Sequence, residues 1–215
     1  MGSEMCIRDS YYTDENLPTA LGGITQGVSN LELTAAYAAI ANNGTYIKPV
    51  FYTKILDQNG DVVLENKPKT TEVFRESTAY LLTSALESVV NDEGGTGNGL
   101  KLDNMPVAGK TGTTSATRDV WFAGFTPYYT CAVWGGYDDN KECNSDTSFR
   151  FRLWKSIMSR IHENLEEKDF KVPSSVERKS ICTITGKLAG SGCPSITEYF
   201  AKDTLPVSYT HLRAH

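Results

Sequence analysis

Between Val107 and Thr114 the chain reads Val-Ala-Gly-Lys-Thr-Gly-Thr-Thr, which gathers one cation, three hydroxyls and two glycines into eight residues. Residues of these types can hold an anion. Lys110 supplies a compact positive charge, and Thr111 and Thr113, two apart, share a face if the stretch is a strand. The glycines let a ligand or another backbone come close. Val107 and Ala108 read as the end of a buried strand. An equally open reading is a strand leading into a Gly/Thr turn that binds nothing.

Two sharper readings compete for the Gly-Lys-Thr core. A phosphate-binding P-loop needs a glycine five positions before Gly109 and a helix afterwards. That position is Asn104, Pro106 interrupts the loop, and an aromatic, strand-like pattern follows. The P-loop fails on all three counts. The other reading is a Lys-Thr-Gly motif, which lies on a sheet-edge strand and is followed by a strand pair. Asp119–Thr126 and Tyr128–Tyr137, alternating aromatic and small residues around Pro127, suit such a pair.

The remaining elements must carry that strand. Ser29-x-x-Glu32 has capping-box spacing ahead of an alanine-rich helix with Leu33, Ala36, Tyr37 and Ile40 on one face, stopped by Asn42-Asn43-Gly44. Val50–Asp57 and Asp61–Glu65 flank Asn59-Gly60 as a hairpin. Lys67–Thr71 reads as a polar connector. Glu76–Val90 is a second helix with Ala79, Leu82, Leu86 and Val89 on one face, followed by an acidic, Gly-rich loop over 91–99. Gly124, Gly135 and Gly136 read as bulges or close contacts. Phe151, Trp154, Met158, Ile161 and Leu165 make the stripe of a third helix, with Arg152, Lys155 and Glu163 off it. From Asp169 the pattern becomes irregular, as an appendage or a linker would be.

With 215 residues, 40% hydrophobic and 22% charged, the chain suits one globular domain or part of a larger one. A net charge of -5 gives no electrostatic case for nucleic acid. No apolar run approaches the roughly 20 residues of a spanning helix. There is no Cys-x-x-Cys, and His162-Glu163 lacks a second histidine, so no metal or other cofactor is expected. Cys131, in a strand-like run, reads as a small buried hydrophobe.

The two ends read as something other than native protein. One choice of codons makes Val207–His215 the antisense of Met1–Asp9, an inverted repeat that resembles a library adapter translated at both ends of a gene fragment. The expected organisation is therefore adapter-derived sequence at 1–10 and 207–215, a partial domain over 11–168 and a C-terminal extension or linker over 169–206.

From about Leu21 to Leu165 the chain resembles the C-terminal half of the transpeptidase domain of class A penicillin-binding proteins. The matching blocks are Leu21–Ser29, Ala35–Gly44, Gly94-Gly95-Thr96-Gly97, Ala108–Thr114 and Asp119–Pro127, in that order; the stretch from Cys182 to Pro206 is similar to extensions on clostridial members. The resemblance implies an α+β fold, with a five-stranded antiparallel sheet packed between helices. It also implies a serine acyl-enzyme reaction that cross-links peptidoglycan stem peptides and is trapped by β-lactams. Its Ser-x-x-Lys and Ser-x-Asn motifs occur nowhere in this chain and lie upstream of Leu21 in the family, so the chain alone is expected to be inactive. By the same resemblance Lys110, Thr111, Gly112 and Thr113 line the substrate site, with Lys110 holding the donor's carboxylate and the Thr113 backbone N–H forming half of an oxyanion hole. The expected partners are stem peptides and β-lactams, with the membrane reached only through an upstream anchor on its extracytoplasmic face. Pairing of Cys182 with Cys193 in that oxidising location is a further implication. A D,D-carboxypeptidase, a serine β-lactamase and an inactive peptide-binding module stay open as alternatives.

Overall fold

Ser29 opens the first helix as its pattern predicts. In the computed structural model, which describes residues 15, 17–25, 27–144 and 146–207, Ser29 Oγ accepts from Glu32 N, and Glu32 Oε2 accepts from Ser29 N at 2.7 Å. Residues 1–10 and 208–215, expected to be adapter-derived, lie outside the described residues; Val207 is described, and its carbonyl accepts from Leu188 N. Helix α1 (Asn30–Ala41) stops where Asn43 and Gly44 turn left-handed, at φ 55° and 88°. Gly44 is required there, because a Cβ would lie 2.2 Å from the Phe74 carbonyl oxygen. The buried residues of α1 are Ala35 and Ala39, while Leu33, Ala36, Tyr37 and Ile40 are half-buried. The helix is apolar almost all round, so spacing alone does not select its face.

Four short strands follow. β1 (Thr45–Ile47) pairs with β4 (Thr70–Glu72), which corrects the reading of Lys67–Thr71 as a connector. That pairing joins residues 27 apart in Thr45↔Glu72, and nothing local in a Thr-Thr-Glu run announces it. β2 (Lys54–Leu56) and β3 (Val62–Glu65) form the hairpin across Asn59-Gly60, shorter on its first strand than expected. Every residue of that hairpin's strands is exposed.

Helix α2 (Glu76–Asn91) buries Ala79, Tyr80, Thr83, Leu86 and Val90. Leu82, placed in the predicted stripe, is 38% exposed. Positions 79, 83, 86 and 90 fit helical spacing as well as 79, 82, 86 and 89. The polar Thr83 can occupy the core because its hydroxyl donates to Ala79 O at 2.9 Å.

The central sheet runs β5–β6–β7, all antiparallel, from β5 (Ala108–Thr113), β6 (Asp119–Phe125) and β7 (Thr130–Gly136). Val107 and Ala108 therefore lead into the strand rather than ending one, and Lys-Thr-Gly lies within it. Of the five strands that the resemblance implies, these three form the sheet among the described residues. The β6–β7 register is continuous, so Gly124, Gly135 and Gly136 mark close contacts and not bulges: added Cβ atoms would meet Trp154, Phe149 and Trp134.

Alternate side chains of β6 face opposite layers. Phe122 packs edge-on against Trp154 of α3 (Phe149–His162), with Val90, Leu100, Val107, Val133 and Met158 around it. Phe125 turns the other way, towards Tyr37 and Ile40 of α1 and Leu86 of α2. The sheet is thus sandwiched between α3 and α1, and α2 lies along β5. On α3 the stripe holds at Trp154 and Met158, but Arg150 and His162 complete it; Ile161 is 43% exposed and Leu165 lies past the helix end. Asp146 anchors the start of α3, and bonds from Ser148 and Arg152 hold its carboxyl down at about 2.

The segment after Asp169 is not irregular. β8 (Val176–Cys182) and β9 (Ser195–Ala201) form an antiparallel hairpin in unbroken register, and the Gly and Pro punctuation belongs mostly to its connection. It docks on the N-terminal half of α2 through Tyr80 against Tyr199, Ser175 Oγ donating to Glu76, and Arg75 paired with Asp203 at 3.2 Å. Cys131, Cys143, Cys182 and Cys193 are free thiols; Cys131, half-buried, packs against the core cluster around Phe122.

Candidate active site

Both glycines before and after Lys110-Thr111 serve strand packing. A Cβ at Gly109 would lie 2.7 Å from Phe122 Cζ and 2.9 Å from Ala123 O, and one at Gly112 would lie 3.1 Å from Trp121 Cβ. They bring β5 close to β6, so of the two uses open to them the structure employs backbone approach. β6 covers only one side of β5, which leaves its other backbone edge free of any strand among the described residues. Thr114 N donates across to Asp119 O at 3.1 Å. Backbone N–H directions alternate along a strand, so the N–H groups of Thr113 and Thr111 point away from β6, to the open edge.

Lys110, Thr111, Gly112 and Thr113 meet at that edge. Lys110 is exposed, and its ammonium curls back to Thr111, donating to Thr111 O at 3.1 Å and to Thr111 Oγ1 at 3.4 Å. No carboxylate of the described residues forms an ion pair with it. Thr113 is exposed and Thr111 half-buried. The edge therefore offers a cation, hydroxyls and outward N–H groups, a set of donors suited to a carboxylate or an oxyanion.

The turn beyond β5 is stiffened by Asp119. Its carboxylate accepts from Thr114 Oγ1 at 3.1 Å and from Trp134 Nε1 at 3.0 Å, and its own N–H donates to Thr114 Oγ1 at 2.8 Å. Ala116 and Thr117 there take left-handed φ of 59° and 52°. Gly22, Ile24 and Ser29 of the Leu-Gly-Gly stretch line a cleft with Thr114 and Trp134, so that stretch comes alongside the end of β5.

Two residues to which the sequence assigns no role, Thr96 and His162, make specific side-chain contacts. Thr96, in the loop after α2, places its Oγ1 2.9 Å from Thr111 Oγ1. The Gly94-Gly95-Thr96-Gly97 block was the signal that could have found it. His162 is 1% exposed and is held between Met158 O and Thr126 Oγ1, at 2.6 and 2.8 Å. It is a packing residue of α3. Among the described residues no cluster of three His, Cys, Asp or Glu side chains could hold a metal.

Comparison with known proteins decides the family. Residues 7–159 match "Penicillin binding protein transpeptidase domain", and residues 172–211 match "Penicillin-binding protein 1A, C-terminal domain". The chain belongs to the penicillin-binding protein transpeptidase family. It is 38% identical over 190 residues to penicillin-binding protein 1A of Clostridium tetani, covering 84% of this chain and 24% of that protein. It is also 38% identical to penicillin-binding protein 1F of Bacillus subtilis, covering 80% of this chain and 26% of that one. The crystal structure of penicillin-binding protein 1A from Haemophilus influenzae superposes with a TM-score of 0.76 at 25% identity, over 90% of this chain and 34% of that one. The chain thus spans about a quarter of the length of these curated relatives. The resemblance to class A penicillin-binding proteins and the α+β fold of sheet and helices are both borne out.

Proposed function

We propose that β5 is the carboxylate-holding wall of a serine D,D-transpeptidase active site. The observation that carries this reading is the Lys110 ammonium at an open strand edge, held by Thr111 and unpaired with any described carboxylate. In this reading Lys110 and the hydroxyls of Thr111 and Thr113 hold the terminal carboxylate of a D-Ala-D-Ala stem peptide, or that of a β-lactam. The outward N–H of Thr113 stabilises the oxyanion formed when serine attacks the penultimate carbonyl. The leaving D-Ala departs with a proton, and the amine of a second stem peptide then takes the acyl group and frees the serine. The serine comes from a Ser-x-x-Lys motif upstream of this region, so 11–168 is one part of the catalytic domain and 169–206 its C-terminal extension. The whole enzyme works at the extracytoplasmic face of the membrane through an anchor outside this region; no helix of the described residues is long and apolar enough to cross one.

The test is Lys110→Ala in the full-length protein. Loss of a charged hydrogen-bond donor should slow acylation by both penicillin and stem peptide by about 10- to 100-fold. Melting should be unchanged, because the ammonium supports no core packing. Lys110→Arg should recover only part of the rate, since a planar fork replaces a compact cation. Unchanged acylation in well-folded Lys110→Ala protein would remove β5 from the active site.

A further inference from the structure

The Gly94-Gly95-Thr96-Gly97 block is built to hold one side chain in place. Its backbone is strapped to the end of α2: Gly97 N donates to Val89 O at 3.0 Å, Gly95 N to Asp92 O at 2.9 Å, and Asn98 Nδ2 to Asp92 O at 2.9 Å. Gly95 has no room for a side chain, since a Cβ would lie 2.2 Å from Val89 O; one at Gly97 would lie 3.3 Å from the same atom. Thr96 stands between these two glycines, and its hydroxyl meets that of Thr111.

Either hydroxyl could be the donor in that contact. A threonine hydroxyl has one hydrogen to donate and two lone pairs to accept with. Lys110 Nζ already donates to Thr111 Oγ1. If Thr111 gave its hydrogen to Thr96, none would remain for a ligand. If Thr96 donates instead, both lone pairs of Thr111 are filled and its hydrogen is turned outward. We infer that Thr96 is a positioning residue for carboxylate recognition: its hydroxyl donates to Thr111 Oγ1, so that Thr111 presents its own hydrogen to the bound carboxylate. This inference rests on the carboxylate-anchoring role proposed above for β5. It adds a residue on a separate element whose work is done through Thr111.

The experiment compares acylation of the full-length protein by benzylpenicillin and by benzylpenicillin methyl ester, followed by intact-protein mass spectrometry. The acid carries the carboxylate and the ester does not. Thr96→Val, which keeps the shape and removes the hydroxyl, should lower the wild-type preference for acid over ester by about three- to tenfold, the worth of one hydrogen bond. Thr96→Ser should keep that preference, and Thr96→Ala should behave as Thr96→Val does, with all three melting close to wild type. An equal loss of rate on acid and ester would mark a merely structural role and overturn the inference, as would a fully retained preference in Thr96→Val and Thr96→Ala. A wild-type protein that does not discriminate acid from ester would overturn the anchoring role of β5 itself, a result distinguishable from failure of Thr96 alone.

Discussion

Adjacent glycines in the loop after α2 should respond very differently to the same substitution. An alanine Cβ at Gly95 would sit 2.2 Å from Val89 O, 2.8 Å from Val89 C and 3.0 Å from Ser88 O, all of them backbone atoms of α2 that cannot swing aside. Ordinary contact begins at 3.4 Å, so loop and helix must part by 3.4 − 2.2 = 1.2 Å. A parting of that size stretches the 3.0 Å bond from Gly97 N to Val89 O to about 4.2 Å, beyond hydrogen-bonding range. Overpacking strain and the lost bond together should cost about 2–4 kcal/mol. For a chain of this size that lowers the melting temperature by about 5–15 °C. An alanine at Gly94 meets nothing within 4 Å, and its cost should stay below about 0.5 kcal/mol. Differential scanning calorimetry of Gly94→Ala and Gly95→Ala beside the parent chain decides the matter. Equal melting temperatures for the two variants would refute the packing argument and, with it, the account of how Thr96 is held.

Two further outcomes follow from polar groups withdrawn from water, Glu87 half-buried and His162 buried. Burial first, and then the nearby charge of Asp169, push the Glu87 carboxyl up to about 7. The folded chain therefore takes up a proton over the window from about pH 4.3 to 7, and stability falls as pH rises through that window. Glu87→Gln should melt above the parent at pH 8 and near it at pH 4; a difference that does not change with pH would contradict this. His162→Phe fills the same space but leaves the Met158 carbonyl and the Thr126 hydroxyl without their imidazole partner. It should cost about 1–3 kcal/mol in urea unfolding, and an unchanged midpoint would show that the network is not worth keeping.

Much of this architecture is readable from local spacing. The capping box of α1, the Asn-Gly hairpin and the three strands around Lys-Thr-Gly all announce themselves within a few residues, because the forces that shape them act over that range. Pairings between distant segments do not. β4 reads as a connector until β1 is beside it, and β8 and β9 reveal their register only once folded back on each other and on Tyr80. Helix faces fall between these cases: α2 is turned by one position from its simplest stripe because Thr83 satisfies its own hydroxyl. At the candidate site the sequence names Lys110, Thr111, Gly112 and Thr113 by motif. Thr96 it marks only as part of a Gly-Gly-Thr-Gly block and gives no role, since a hydroxyl flanked by glycines looks like any loop until the end of α2 carries it to β5.

Helix α2 also sets a dimension that the chain is not free to change. Its 16 residues extend for about 24 Å at roughly 1.5 Å per residue, with the C-terminal hairpin seated at one end and the Thr96 loop at the other. Inserting or deleting one residue within it would turn one end against the other by about 100°. Either Tyr80 would then miss Tyr199 or Thr96 would miss Thr111. The connections at Gln58-Asn59-Gly60 and between β8 and β9 bear no such constraint. Length variation among proteins that share this arrangement should collect in those turns and spare α2, which works as the gauge block between the C-terminal hairpin and the Thr96 loop.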